Sequence, residues 1–102
     1  MIHVVAILTA AAGKRDLVLA AFKKNIPAVL AEPGCIQYFP VVDLEGAPES
    51  LARLGPDAFM VIEQWESPAA LQAHGGSPHM AAFGEAVKDL MQSSAVYALS
   101  NV

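Results

Sequence analysis

The stretch IEQWESPAALQAHGGSPHM, residues 62–80, brings a glutamate, a tryptophan and two of the chain's three histidines into one short segment. Glu63 and Trp65 come first. His74 and His79 then flank Gly-Gly-Ser-Pro, a break that ends one helix and starts another. His74 therefore falls in a last helical turn and His79 in a first one. Helix dipoles favour a cation at a C-terminus and disfavour one at an N-terminus. The pair is predicted to hold opposite protonation states, the arrangement by which a site separates its acid from its base. Metal binding is not predicted. Four residues separate the two imidazoles, but the break between them removes the continuous helix face on which a zinc pair sits, even with Glu63 near as a third ligand. No glycine-rich nucleotide fingerprint or P-loop is present, so no cofactor is predicted.

Each of these side chains also has a plain structural use. Histidines at helix ends serve as caps, Trp65 and Tyr38 serve as core aromatics, and Glu63 serves as one half of an ion pair. Cys35 reads as an inert thiol and His3 as a structural residue near the terminus.

The elements that must position the candidates follow from periodicity. Ile2–Thr9 is short and rich in β-branched residues, a strand apolar on both faces and so expected to be covered on both sides. Lys14–Glu32 carries Val18, Phe22, Ile26 and Leu30 at four-residue spacing, the stripe of a core-facing helix. Pro27 is expected to kink it or to divide off a second short piece. Cys35–Asp43 forms a second strand containing Tyr38. The connection 44–57 is long, with PESLARL expected to form a turn of helix. Ala58–Trp65 is a third strand, with Phe59, Val61, Glu63 and Trp65 on one face. Ser67-Pro68 and Ser77-Pro78 are matching helix starts, serine capping and proline taking the first helical position. The second of these helices is expected to reach Met91, and Ala95–Val102 to supply a last strand. The order β-α-β-β-α-α-β is that of an α+β, ferredoxin-like split βαβ unit.

Composition narrows the classes. Hydrophobic residues make up 55% of 102, against 16% charged, and mean hydropathy is +0.44. So small a domain has too little polar surface to cover itself, which predicts a homodimer that buries an apolar face. A net charge of −4 without a basic run excludes the electrostatic footprint of a nucleic-acid binder. One cysteine allows no internal disulfide and fits a reducing cytoplasm. The opening MIHVVAILTAAAG lacks the basic region of a signal peptide, and no run reaches membrane-spanning length.

EPGCIQY at 32–38 and FMVIEQWESPAALQAHGGSPHMAAF at 59–83 resemble the antibiotic biosynthesis monooxygenase family. The resemblance runs through nearly the whole chain, with the Glu-x-Trp, x-x-Ala-Leu-x-x-His and Ser-x-His pieces in the family's order and spacing. It implies one domain over residues 1–102 that pairs as a dimeric α/β barrel. It also implies a pocket lined by Trp65 and His74, with Tyr38, Glu63 and His79 as further members. The family includes cofactor-free quinol or anthrone oxygenases, haem-degrading enzymes and an autoinducer isomerase. Haem-degrading members carry an asparagine on the first strand; MIHVVAILT has none, which argues against haem cleavage. The 44–57 connection exceeds the family norm and is placed to reshape the pocket mouth.

The resemblance joins a chemical argument. A hydroquinone-like aromatic, once deprotonated, can itself reduce molecular oxygen. The protein then needs an apolar slot, a base and donors for the developing oxyanion. His79 is the expected base, with His74, Tyr38 and the Trp65 indole N–H as donors. Two other readings stand beside this one: an isomerase of a small carbonyl compound, and a non-catalytic dimeric module that binds a small ligand.

Overall fold

The computed structural model describes residues 1–102 and contains β1 (Ile2–Ala10), α1 (Arg15–Leu30), β2 (Cys35–Val41), β3 (Ala58–Trp65), α2 (Pro68–Gly75), α3 (Pro78–Val87) and β4 (Met91–Leu99). The strands form one antiparallel sheet in the order β2-β3-β1-β4. β1 and β2 run parallel with β3 between them, and α1 makes the crossover; β3 and β4 likewise flank β1. This is the split βαβ arrangement that the element order predicts.

Alternation along the strands decides what faces the helices. Val4 and Ala6 of β1, Tyr38 of β2, and Phe59, Val61, Glu63 and Trp65 of β3 are all buried on that side. Val18, Phe22 and Val29 of α1 and Val87 of α3 complete the core. The α1 stripe departs from the four-residue spacing. An α-helix advances about 400° in four residues, so each step drifts by about 40° and Leu30 lies about 120° from Val18. Val29, eleven residues on, returns to within about 20° of it, and is the residue that is buried; Leu30 is exposed.

Other boundaries also move. Pro27 does not divide α1, which runs unbroken to Leu30, and the Pro27 carbonyl accepts from Ala31 N at 3.2 Å. β2 stops at Val41 because Asp43 leaves the sheet, its carboxylate accepting from Leu54 N at 2.8 Å and Gly55 N at 3.0 Å. These bonds close the long connection, and PESLARL makes turns instead of helix. α3 ends at Val87, where Leu90 N turns back to the Val87 carbonyl at 2.8 Å. The chain then pairs with β1 from Met91, four residues earlier than expected, with a bulge at Thr9/Ala10.

β1 is not covered on both sides within one chain. The helices lie over β2, β3 and β1 and leave β4 largely bare, so Val96 on that side is 66% exposed. On the far side, Val5, Ile7, Phe39, Met60 and Ile62 form an apolar sheet face that no helix touches. No helix is long and apolar enough to cross a membrane.

Candidate active site

Glu63 and Trp65 stand two residues apart on the inward face of β3, so their side chains lie side by side. The Trp65 Nε1–H donates to Glu63 Oε1 at 2.9 Å. Trp65 has no exposed surface, and its one donor is taken. Burial drives the Glu63 carboxyl above the usual carboxylate range; the Trp65 hydrogen bond and the His74 ring oppose that rise, and the Glu32 charge adds to it. Tyr38, paired with Glu63 across β2/β3, is pushed higher still, by burial first and then by the Glu63 and Glu32 charges. Its hydroxyl therefore stays a phenol, a donor and not a base.

α2 begins at Ser67, whose Oγ accepts from Ala70 N at 3.2 Å. In its last turn it lowers His74 against the sheet. The imidazole centre lies 4.7 Å from the Trp65 ring and 5.5 Å from the Tyr38 ring. Ser77 is not the matching cap. Its Oγ donates to the His74 carbonyl at 2.8 Å and lies 3.2 Å from His79 Nε2, which braces the break between the helices.

The centre of the cluster is a residue that the sequence pattern placed only at the end of the first helical stretch. Glu32 lies just beyond α1, and its Oε2 is 2.8 Å from both His74 Nδ1 and His79 Nε2. A carboxylate has no proton to give, so both facing nitrogens are N–H donors. In a neutral ring that leaves His74 Nε2 with the lone pair. The two imidazoles thus share one carboxylate. Gly34 makes the approach possible. It turns the chain with φ +85°, and a Cβ there would meet the Ala70 Cβ at 2.6 Å. Glu66 N also donates to the Gly34 carbonyl at 2.9 Å, tying the Glu32 turn to the entrance of α2.

His74, Tyr38 and Glu63 border one cavity of about 420 Å³ between the sheet and the helices, with Ser94 at its β4 side. The rest of the wall is almost wholly apolar, including Val4, Val61, Phe22, Leu71 and Phe83. Trp65 stands behind this wall and not on it. His79 is also outside: it lines a broad, open depression of about 860 Å³ between α1 and α3, beside Lys23, Lys24 and Asn25. The narrower, more apolar cavity is the better site for a small aromatic molecule, since it takes more of the ligand out of water than the open depression does. Of the five expected residues, the fold brings three to the cavity, puts Trp65 in support of Glu63, and places His79 across Glu32 on the outer side. The connection 44–57 contributes nothing to the cavity wall.

Residues 1–86 match the family Antibiotic biosynthesis monooxygenase. The chain belongs to that family. Probable quinol monooxygenase YgiN of Escherichia coli K12 is 50% identical over 74 residues, which span 72% of this chain and 70% of the relative. Among solved structures, PA3566 from Pseudomonas aeruginosa superposes with a TM-score of 0.81 at 26% identity, covering 99% of this chain and 93% of the other. Rv0793 from Mycobacterium tuberculosis gives 0.80 at 24% identity, covering 99% and 94%. These likenesses bear out the α+β ferredoxin-like fold, and family membership supports a monooxygenase.

Proposed function

We propose that this protein is a cofactor-independent monooxygenase that oxidises a small hydroquinone- or anthrone-like aromatic with molecular oxygen. The observation that carries the reading is His74, held at Nδ1 by the part-buried Glu32 carboxylate, on the wall of an apolar cavity that also presents a phenol kept protonated by burial. The quinol-directed name of the Escherichia coli relative supports the same substrate class.

In this reading the base is His74 and not His79, because only His74 borders the cavity. Its Nε2 takes a hydroxyl proton from the substrate. Glu32 steadies the imidazolium so formed, as a carboxylate behind a histidine does in other acid–base sites. The aromatic anion gives an electron to oxygen, and the radical pair collapses to a peroxide on the ring. Loss of water from that peroxide leaves one oxygen atom on the product and the other in the water, so a quinol and dioxygen become a hydroxyquinone and water. Tyr38 donates to the oxyanion, and the apolar walls strengthen that contact. Ser94 and Val96 line the cavity from a strand bare of helical cover. A second copy that covers the cavity side of β4 would close the site there and could also bury the apolar far face of the sheet, which is the homodimer proposed here.

The test is oxygen uptake by chelator-treated protein with a panel of quinols and anthrones. Expected is a rate above the uncatalysed oxidation, absent under nitrogen and reduced about 10²–10⁴-fold in His74→Ala, the usual span for a general base. Turnover of an enolisable carbonyl without oxygen would replace this reading with the isomerase.

A further inference from the structure

The side of Glu32 away from the cavity holds His79, an imidazole that the oxidation does not use. His74 Nδ1, His79 Nε2 and a Glu32 carboxylate oxygen all lie within 4.8 Å of one another, contributed by α2, α3 and the turn after α1. Their side chains are 8%, 27% and 11% exposed, so these are not solvated surface groups. The break at Gly75-Gly76, which on spacing alone argues against a metal, is what lets the second imidazole turn back toward the carboxylate.

We propose that Glu32, His74 and His79 form a binding site for one zinc-like divalent ion, and that filling it switches off the general base of the proposed oxidation. Two imidazole nitrogens and one carboxylate oxygen are a zinc donor set; magnesium and calcium favour all-oxygen sets. Bonds of about 2.0–2.1 Å in a tetrahedron place ligand atoms about 3.3 Å apart. The present 2.8 Å contacts therefore open by about half an ångström to admit the ion. Ser77 Oγ, 3.2 Å from His79 Nε2, stands beside the fourth position, which water or the hydroxyl can take. Two neutral imidazoles and one carboxylate carry a single negative charge, which a divalent ion more than balances. The open depression beside His79 provides access from solvent without passage through the cavity.

The switch follows from imidazole chemistry. In the metal-free arrangement both rings carry hydrogen on the nitrogen facing Glu32. An ion needs the lone pairs of those nitrogens, so each neutral ring moves its hydrogen to the other nitrogen. For His74 this turns Nε2 into an N–H. It then has no lone pair with which to accept a proton from a substrate in the cavity. Metal occupancy and base catalysis exclude one another at this residue, and zinc acts as an inhibitor instead of a cofactor.

The inhibitory half rests on the monooxygenase reading; the binding half does not. Chelator-treated protein is titrated with ZnCl₂ by calorimetry and with CoCl₂ by visible absorption. Expected are one equivalent per chain and the intense d–d bands of a four-coordinate cobalt site. Glu32→Gln and His79→Ala, each checked for a native circular-dichroism spectrum, bind at least about 100-fold more weakly. Losing one of three ligands costs more than losing an outer-shell partner, which is worth about 10–100-fold. The absence of saturable binding, or binding that survives both substitutions, overturns the site. The ¹⁵N shifts of the His74 ring read the switch without any substrate: zinc should leave Nε2 protonated. A Nε2 that keeps its lone pair at saturating zinc overturns the switch. Where a quinol is turned over, the zinc-treated to chelator-treated rate ratio within each protein should fall at least about 10-fold in wild type and stay near one in both variants. Equal rates in wild type with the site filled also overturn the switch. Failure of every quinol to react counts against the oxidation alone, because the titrations and ring shifts remain decisive.

Discussion

Replacing Trp65 by Phe separates support from chemistry at the residue that most invites a catalytic role. Trp65 has no exposed surface, and its single donor is fixed on Glu63 at 2.9 Å. The substitution removes a hydrogen bond to a buried carboxyl that carries charge when ionised, worth about 1.5–3 kcal/mol. The smaller ring leaves a void of about 40 Å³, which at about 24 cal/mol per Å³ adds about 1 kcal/mol. The expected loss is thus about 2.5–4 kcal/mol at a pH where Glu63 is ionised. In a Glu63→Gln background the amide oxygen still accepts, but the bond is neutral and worth about 0.5–1.5 kcal/mol. The double-mutant cycle should therefore show a coupling of about 1–2 kcal/mol. Urea unfolding followed by far-ultraviolet circular dichroism provides the measurement, since Trp65 is the chain's one tryptophan and its fluorescence is lost. Protomer concentration must be held constant, because self-association shifts apparent stability. Folded Trp65→Phe should keep its rate within about threefold, as expected of a residue that never meets the substrate. Strict additivity with Glu63→Gln, together with unchanged stability and a rate loss of two orders of magnitude, would refute this reasoning and put the indole in the reaction.

Glu63 also predicts a pH dependence. Its folded carboxyl titrates above its unfolded value, so the native state retains a proton that the unfolded chain has lost. Its contribution is fully present below the unfolded value near 4.5 and is lost as pH rises through the raised folded value. Glu63→Gln should flatten that decline when stability is measured across this window; an unchanged slope would assign it to another group. Gly34→Ala should cost about 1–2 kcal/mol for left-handed backbone, plus the clash at the Ala70 Cβ. Adding Ala70→Gly should restore only the clash part, while full rescue in urea unfolding would show that φ is not strained. Ile62→Lys, on the sheet face opposite the cavity, should convert the proposed dimer to monomer in sedimentation velocity. A dimer that persists would move the interface off that face.

The core frame of this protein was legible in one dimension because it rests on local rules. Alternation put Phe59, Val61, Glu63 and Trp65 on one face of β3, and Ser67-Pro68 began α2 where a serine cap and a proline require it. The order of elements led to the split βαβ sheet, since connection lengths and handedness leave few alternatives. Boundaries set by pairing were less legible: Met91 joins β4 because β1 is there to receive it, not because of its own propensity. The site was divided in the same way. His74, Tyr38 and Glu63 could be singled out by type and by the family's spacing. Glu32 could not, because it stands 42 and 47 residues before the imidazoles it joins, and no periodicity reaches that far. Helix ends say only where the two imidazoles stand along the chain. Folding brings a carboxylate between them, at 2.8 Å from each. Side-chain types and local periods belong to the sequence; which imidazole faces the cavity, and which group holds it there, is decided only when distant segments pack.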